Sequence, residues 1–517
     1  MSAMSAERPE RAAGRPRRLP VIIQGGMGVG VSCWQLAREV SRAGQLGVVS
    51  GVALDAVVAR RLQRGDPGGD IRRALAAFPA PEVAGRVLDR YYVAGGIAPG
   101  RPFRPIPRLG LRASQPRSEL LAVASFAEVF LAKEGHDGLV GINLMEKVQM
   151  ATPASVYGAM LAGVDYVLVG AGIPVGVAGM LDDLAAHRAV AMPAAVADAP
   201  AAPDAGQPEN PPAEDGAESA DDGDPAGQPM IRFDPATILP EPGAALARPR
   251  FLAIISSAVL ATYLNRSDAS RPDGFVLEGP VAGGHSAPPR GRLRLDDAGE
   301  PVYGDRDVID TAKVMAAGLP FWLAGGYSTP GKVRAALAAG AAGVQVGTPF
   351  ALARESGIEP GLKQELLDRA AAGKLTVRNS PQASPAGFPF KVADLPGTVA
   401  DEDVYAERPR LCDLGYLRVP FHRAGDGIGY RCPAEPEGEY ERKAGAAGEA
   451  DGRRCLCNGL LATIGLGQHR ATGYVEPAIV TLGQDLAFLP DLLDGHGTDF
   501  GAADVVRYLM DGAVPAA

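Results

Sequence analysis

The sequence predicts an α/β fold, a closed (β/α)8 TIM barrel, on three observations. Short strands rich in β-branched and apolar residues alternate with amphipathic helical stretches eight times. The strands run out into glycine, serine, asparagine or glutamate, as parallel strands do where they meet a loop. The chain has 517 residues, 46% of them apolar, enough for a barrel of about 250 residues and a further segment. Eight alternations favour a closed barrel over an open doubly wound sheet.

In chain order, a strand at 19–24 is followed by a glycine turn and a helix near 32–43. A second strand covers 46–50, with helical segments from 55 to 78. Residues 95–113, rich in Pro, Arg and Gly, read as an excursion before a helix near 118–133. Then come a strand at 139–144, a helix at 153–162, a strand at 165–170 and a helix from 174 to 187. The order resumes with a strand at 251–256, a helix to about 266, a strand at 274–278 and a helix at 307–317. The last two strands, 320–324 and 342–346, bracket a helix at 330–339.

Charge marks out the other parts of the chain. The net charge of −9 is matched by nine acidic residues between Arg188 and Arg232, a stretch without Lys or Arg between them. Its Ala, Pro, Gly and Asp cannot repay the entropy of ordering, so 195–229 reads as a disordered insertion in a barrel spanning 19–373. Residues 1–18, arginine-rich but patternless, read as a disordered tail, and 374–517 as an irregular extension or lid. No basic patch interleaved with aromatics argues for nucleic acid. The longest apolar run, 251–264, is too short for a membrane span, and no secretory segment follows Met1. Five cysteines are too few for a secreted disulfide framework, so the expected compartment is the reducing cytoplasm. The expected partner is a small-molecule substrate, with a homodimer left open.

Barrel chemistry sits where strands end. After the 274–278 strand, Gly283 and Gly284 bring backbone close to a ligand while His285 projects beside it. A turn whose histidine merely packs is the plain alternative. The first turn, Gly25 to Gly30, does not fit the dinucleotide spacing Gly-x-Gly-x-x-Gly in any register. Gly325 with Gly326 and Gly347 with Thr348 end the last two strands, and their bare N–H groups suit a phosphate.

Three motifs in this order, Ala282 to His285, Ala324 to Gly326, and Gln345 to Phe350, resemble the nitronate monooxygenase (2-nitropropane dioxygenase) family. That family also includes flavin-dependent enoyl-acyl carrier protein reductases, and the resemblance covers roughly 19–390. It implies an FMN-binding barrel in which Gln24, Gly25, Gly26 and Met27 line the flavin and Asn143 hydrogen-bonds it. The three motifs, with Gly283, Gly284, Gly325, Gly326, Gln345, Gly347 and Thr348, complete that site, and His285 is the implied catalytic acid/base. The implied activity is oxidation of alkyl nitronates with oxygen to carbonyl compounds and nitrite. The alternative is an enoyl-thioester reductase using NAD(P)H, and a non-catalytic flavin-binding barrel is a third reading. The chain departs from the family after His285, where Ser-Ala-Pro-Pro precedes Arg290.

Cys412, Cys432, Cys455 and Cys457 cluster in the extension. Four thiols within about fifty residues suggest structural zinc, which takes four soft ligands in a closed tetrahedron. The Cys-x-Cys spacing departs from the usual Cys-x-x-Cys knuckle, and reduced structural thiols are the favoured reading, an iron–sulfur cluster the least favoured. Cys33 reads as core, and His422 and His469 as surface residues.

Overall fold

Successive apolar runs pair side by side and in parallel, because each helical return carries the chain back to the same end of the sheet. The computed structural model describes residues 19–197, 229–423 and 427–512. Its strands, in chain order, are β1 (Ile22–Gln24), β2 (Gly47–Ser50), β3 (Val140–Met145), β4 (Tyr166–Gly170), β5 (Val190–Pro193), β6 (Met230–Phe233) and β7 (Arg250–Ile255). They continue with β8 (Gly274–Glu278), β9 (Phe321–Ala324), β10 (Gly343–Val346), β11 (Val377–Ser380), β12 (Phe390–Ala393), β13 (Val419–His422) and β14 (Ile428–Arg431).

Eight of these form one parallel sheet in the order β1-β10-β9-β8-β7-β4-β3-β2. Its two edges meet: Ile23 bridges Leu46, the Gln24 amide donates to the Leu46 carbonyl at 3.0 Å, and the Leu46 amide to Ile22 at 3.1 Å. The sheet is therefore a closed (β/α)8 barrel, and all eight strands lie where the sequence places them.

The pleat sorts the core into two layers. Ile23, Val48, Leu168, Leu252, Val276 and Trp322 point inward and fill the barrel. Trp322 also donates its indole N–H to the Pro20 carbonyl at 2.8 Å, which satisfies its one polar atom. The opposite faces of the strands pack under the helices in a larger outer layer that runs on into the extension. The longest helix, Gln115–Lys133, begins with Pro at its second position and is buried along most of its length between neighbouring helices.

Three differences from the sequence reading have local causes. The helix expected at 307–317 is a 3-10 turn at Asp305–Asp307 and a short helix at Thr311–Met315, which Asp310 caps by accepting from the Lys313 amide. Helices Pro81–Tyr91 and Pro360–Ala371, each opened by proline, are additional. The expected disordered insertion is carried on a hairpin, β5 paired antiparallel with β6. Its near ends are bonded: the Ala194 amide donates to Pro229, and Ala197 bridges Phe421. Residues 198–228 of that insertion and the expected tail 1–18 lie outside the described residues. Among the described residues no helix is long and apolar enough to cross a membrane.

The extension has little regular structure, two hairpins (β11–β12 and β13–β14) and short helices. It is nonetheless anchored by a buried polar group. The Tyr416 hydroxyl donates to Asp55 at 2.5 Å, and Asp55 is ion-paired with Arg117 at 2.6 Å, both partners being fully buried between barrel helices. Breaking one member would strand a buried charge, so the contact fixes where the extension sits.

Candidate active site

A cavity of about 580 Å³ opens at the C-terminal ends of the barrel strands, within the range of cofactor and ligand sites. Turns after β1, β3, β8, β9 and β10 line its barrel side, and the extension supplies Phe388, Phe390, Tyr416, Leu417, Cys457 and Thr481 on the other.

The sequence-derived residues gather here. Gly25, Gly26, Met27, Asn143, Gly283, Gly284, His285, Gly325, Gly326, Gln345, Gly347 and Thr348 all line the cavity. Gln24 does not. It is fully buried; its Nε2 donates to Ser32 Oγ at 2.8 Å and its Oε1 accepts the Val48 amide at 2.9 Å. Its amide is spent on Ser32 and on β2, bracing the first glycine turn, so its place is behind the site wall rather than in it.

Two glycines are there because nothing larger fits. A Cβ on Gly26 would come within 2.2 Å of the Asn143 Cβ. Gly325 adopts φ +84°, and a Cβ there would lie 2.9 Å from the Gly279 carbonyl oxygen. These turns leave bare backbone facing the cavity. Two side-chain oxygens beside them, Asn143 Oδ1 and Gln345 Oε1, are buried without a hydrogen-bond partner among the described residues. Unpaired buried acceptors are costly, and a planar heterocycle with N–H donors would satisfy them. Thr348 Oγ1 accepts the Gly483 amide at 2.8 Å, which leaves its own proton to donate. The phosphate-type turn at Gly326 has a carboxylate beside it, Asp485, which is neutralised by Lys332 at 2.7 Å.

His285 lies on the wall of this cavity. Its Nε2 is 2.6 Å from Ser384 Oγ, and its ring meets Phe390 edge-on with centroids 4.8 Å apart. Burial, helped by the positive charge of Lys147, pushes its pKa down to about 4. The imidazole is therefore neutral at pH 7. The plain reading of a packed histidine is half right: the ring packs, and one edge still faces the cavity.

Backbone bonds from the extension hold the histidine loop. The Lys391 amide donates to the Gly284 carbonyl at 2.9 Å, the Ser286 amide to Pro389 at 3.0 Å, and the Gly284 amide to Thr481 Oγ1 at 2.9 Å. The Lys391 side chain, fully buried, donates to the Pro280 carbonyl at 2.7 Å and to Ser286 Oγ at 3.1 Å. Beside it, at the end of β8, burial pushes the Glu278 carboxyl up to about 7, while burial pulls Lys391 down to about 8. Ser384, Lys391, Lys147 and Asp485 were not found from the sequence. Lys147 follows the end of β3 by two residues, a strand-end position that the sequence does show; the other three sit on no strand end of the barrel, and for Ser384 the available signal was the unassigned Ser-Pro-rich stretch 380–389.

Four of the five cysteines fall as a group in the extension, and one of them, Cys457, also lines the main cavity. Cys33 is buried, as expected for core, and its thiol lies 3.2 Å from the Glu355 carbonyl. Cys412, Cys432, Cys455 and Cys457 all border a second space of about 10 Å³. His422 and His469 do not border it. Among the described residues no group of three or more His, Cys, Asp or Glu side chains stands at metal-binding geometry.

The nitronate monooxygenase family model matches residues 243–383, the segment from before β7 to the Ser380 turn. A probable nitronate monooxygenase of Bacillus subtilis (strain 168) is 40% identical over 105 residues, 20% of this chain and 28% of that protein. The nitronate monooxygenase npaC of Metarhizium robertsii is 36% identical over 112 residues, 22% of this chain and 29% of that protein. The chain thus aligns with less than a third of the length of either relative. Among solved structures, a nitroalkane oxidase from Streptomyces ansochromogenes superposes with a TM-score of 0.42 at 16% identity, covering 96% of each chain. The segment that carries β7 to β10 and the histidine loop is the part of the chain that is similar to the nitronate monooxygenase family.

Proposed function

We propose that this protein is an FMN-dependent oxidoreductase that oxidises alkyl nitronates with dioxygen to carbonyl compounds and nitrite. The observation that carries the reading is the pairing, in one cavity, of a bare-backbone cradle and two orphaned amide oxygens with a neutral histidine. FMN bound there would take electrons from the substrate and pass them to oxygen.

The residues have separate tasks. Gly325, Gly326, Gly347 and Thr348 would hold the phosphate through main-chain N–H groups and one hydroxyl. Asn143 and Gln345 would hold the polar edge of the flavin ring, and Gly25, Gly26 and Met27 would form its floor. His285, neutral because it is buried, suits the role of base: with Nε2 engaged by Ser384, Nδ1 is the nitrogen left to take the α-proton of a neutral nitroalkane. A resident imidazolium that holds nitronate charge fits less well, since burial disfavours it. Arg290, on the cavity wall, and Lys147, beside it, are the sources of positive charge for an anionic substrate. The Lys147 ammonium lies 4.8 Å above the ring of Phe388, a residue of the cavity wall. The extension's cysteines take no part in the chemistry. The unpaired thiols fit a reducing cytoplasm.

Anaerobic mixing of the FMN-loaded protein with an alkyl nitronate, NADH and NADPH in turn tests the proposal by flavin absorbance. Bleaching by the nitronate alone is the expected result. Rapid bleaching by NAD(P)H without nitronate would replace it with an enoyl-thioester reductase, and failure to bind any flavin would remove both.

A further inference from the structure

We infer that Lys332 and Asp485 form a charge selector at the phosphate cradle, in which Lys332 supplies the cation for a flavin phosphate and Asp485 opposes it. This rests on the flavin reading and deepens it, because it says which side chains decide between a phosphorylated flavin and an unphosphorylated one. The cradle is crossed by the extension segment 481–485, of which Thr481, Leu482, Gly483 and Asp485 line the cavity. The segment is pinned to the loops after β8 and β10. The Thr481 hydroxyl accepts the Gly284 amide at 2.9 Å, the Gly483 amide donates to Thr348 Oγ1 at 2.8 Å, and the Gln484 amide donates to the Val281 carbonyl at 3.1 Å.

This pinning sets a carboxylate against the cradle. Gly326 stands at φ +82°, and the point a Cβ would occupy there lies 3.5 Å from Asp485 Oδ2 and 3.8 Å from Lys332 Nζ. Asp485 Oδ1 accepts the Ala487 amide at 3.2 Å. Its Oδ2 accepts Lys332 Nζ at 2.7 Å and, at 3.4 Å, the hydroxyl of Ser328, a buried residue of the cavity wall. The Asp485 side chain is 16% exposed and that of Lys332 47%. The carboxylate is therefore the fixed member of the pair. The lysine, in the first turn of the helix Pro330–Ala338, is the member that can reorient.

The chemistry follows from charge. A phosphate monoester carries close to two negative charges at pH 7, so beside a fixed carboxylate it is repelled unless a cation stands between them. An ammonium has three N–H donors. Asp485 takes one, and the others can reach a phosphate oxygen, so the lysine bridges the two anions. Riboflavin, with an alcohol in place of the phosphate, gains nothing from the cation and loses nothing to the carboxylate. An ion pair that only holds the segment in place behaves differently: loss of either partner loosens the same roof and weakens both flavins alike.

The test is equilibrium titration of the full-length protein, stripped of flavin, with FMN and with riboflavin, read by quenching of flavin fluorescence. The wild type should bind FMN at least about tenfold more tightly than riboflavin, the worth of one hydrogen bond to a charged group. Lys332→Met should remove most of that preference. Asp485→Asn should tighten FMN about fivefold, the effect of one unit charge at about 4 Å in watery surroundings, and neither substitution should move riboflavin. Equal wild-type affinity for the two flavins, which needs no variant to fold, would overturn the inference and leave the flavin reading standing. So would two substitutions that shift FMN in the same direction, or riboflavin shifting together with FMN. A wild type that binds neither flavin would overturn both.

Discussion

The barrel and the extension contribute to the same cavity by different means. The barrel offers backbone: glycine turns at the ends of β1, β8, β9 and β10, among which a Cβ on Gly26 would collide with Asn143 and one on Gly325 with the Gly279 carbonyl. The extension offers side chains: Ser384 on His285, Phe390 against its ring, Thr481 on Gly284 and Lys391 beneath the loop. The barrel can therefore bind a cofactor, and the extension decides what the histidine beside it can do. A comparison of substitutions on the two sides can break this division.

The largest effect is expected where the two halves meet. His285→Ala should lower kcat/KM for a neutral nitroalkane by about 10²–10⁴-fold, the usual contribution of a positioned base. It should spare a pre-formed nitronate, which has no proton to lose, so equal losses on both substrates would contradict the base role. On the barrel side, Gly26→Ala forces a contact with Asn143 and should lower flavin affinity, read as flavin lost during gel filtration. Retention equal to wild type would remove Gly26 from the cradle.

On the extension side, Tyr416→Phe leaves the buried Asp55–Arg117 pair short of one hydrogen bond. A cost of about 1–3 kcal/mol in unfolding free energy is expected, measurable in urea. Ser384→Ala removes the partner of Nε2 and should cost about tenfold in kcat with flavin content unchanged, roughly the worth of one hydrogen bond. Loss of flavin in that variant would show that the extension holds the cofactor too.

The pH dependence is the subtlest prediction. With the His285 pKa near 4 in the folded protein and 6.5 as its ordinary value, the base is already present at pH 5 to 6. The acid limb of kcat/KM for the nitroalkane should then lie near 4, and a limb at 6.5 would mean the ring is solvated. The same shift bears on stability. Between pH 6.5 and 4 the unfolded chain binds a proton that the folded histidine refuses, so this group costs stability as pH falls through that window. Glu278 acts in the opposite sense: its carboxyl, pushed up to about 7, keeps a proton that the unfolded chain releases above 4.5. Its contribution is lost as pH rises from 4.5 to 7.

The same division explains what could be read from the sequence. Barrel strands are runs of Val, Ile and Leu with glycine at their ends, a local pattern, and β1 to β4 and β7 to β10 follow it closely. The cradle glycines and His285 share that legibility because they sit at fixed offsets from the strands. Gln24 differs by one residue of pleat: Ile23 before it fills the barrel, so the Gln24 side chain lies on the opposite face and is held by Ser32 and the Val48 amide. Ser384 and Lys391 were invisible because their role depends on a contact across about a hundred residues, with no periodicity to announce it. The hairpin β5–β6 was hidden for another reason, its two four-residue strands being separated by the acidic insertion.

The most direct measurement is the identity and amount of any flavin released by denaturing the freshly purified full-length protein, followed by absorbance and mass. One FMN per chain is predicted, with a visible spectrum that changes when His285 is replaced and weakens with Gly26→Ala. A colourless protein that binds no added FMN would contradict the account.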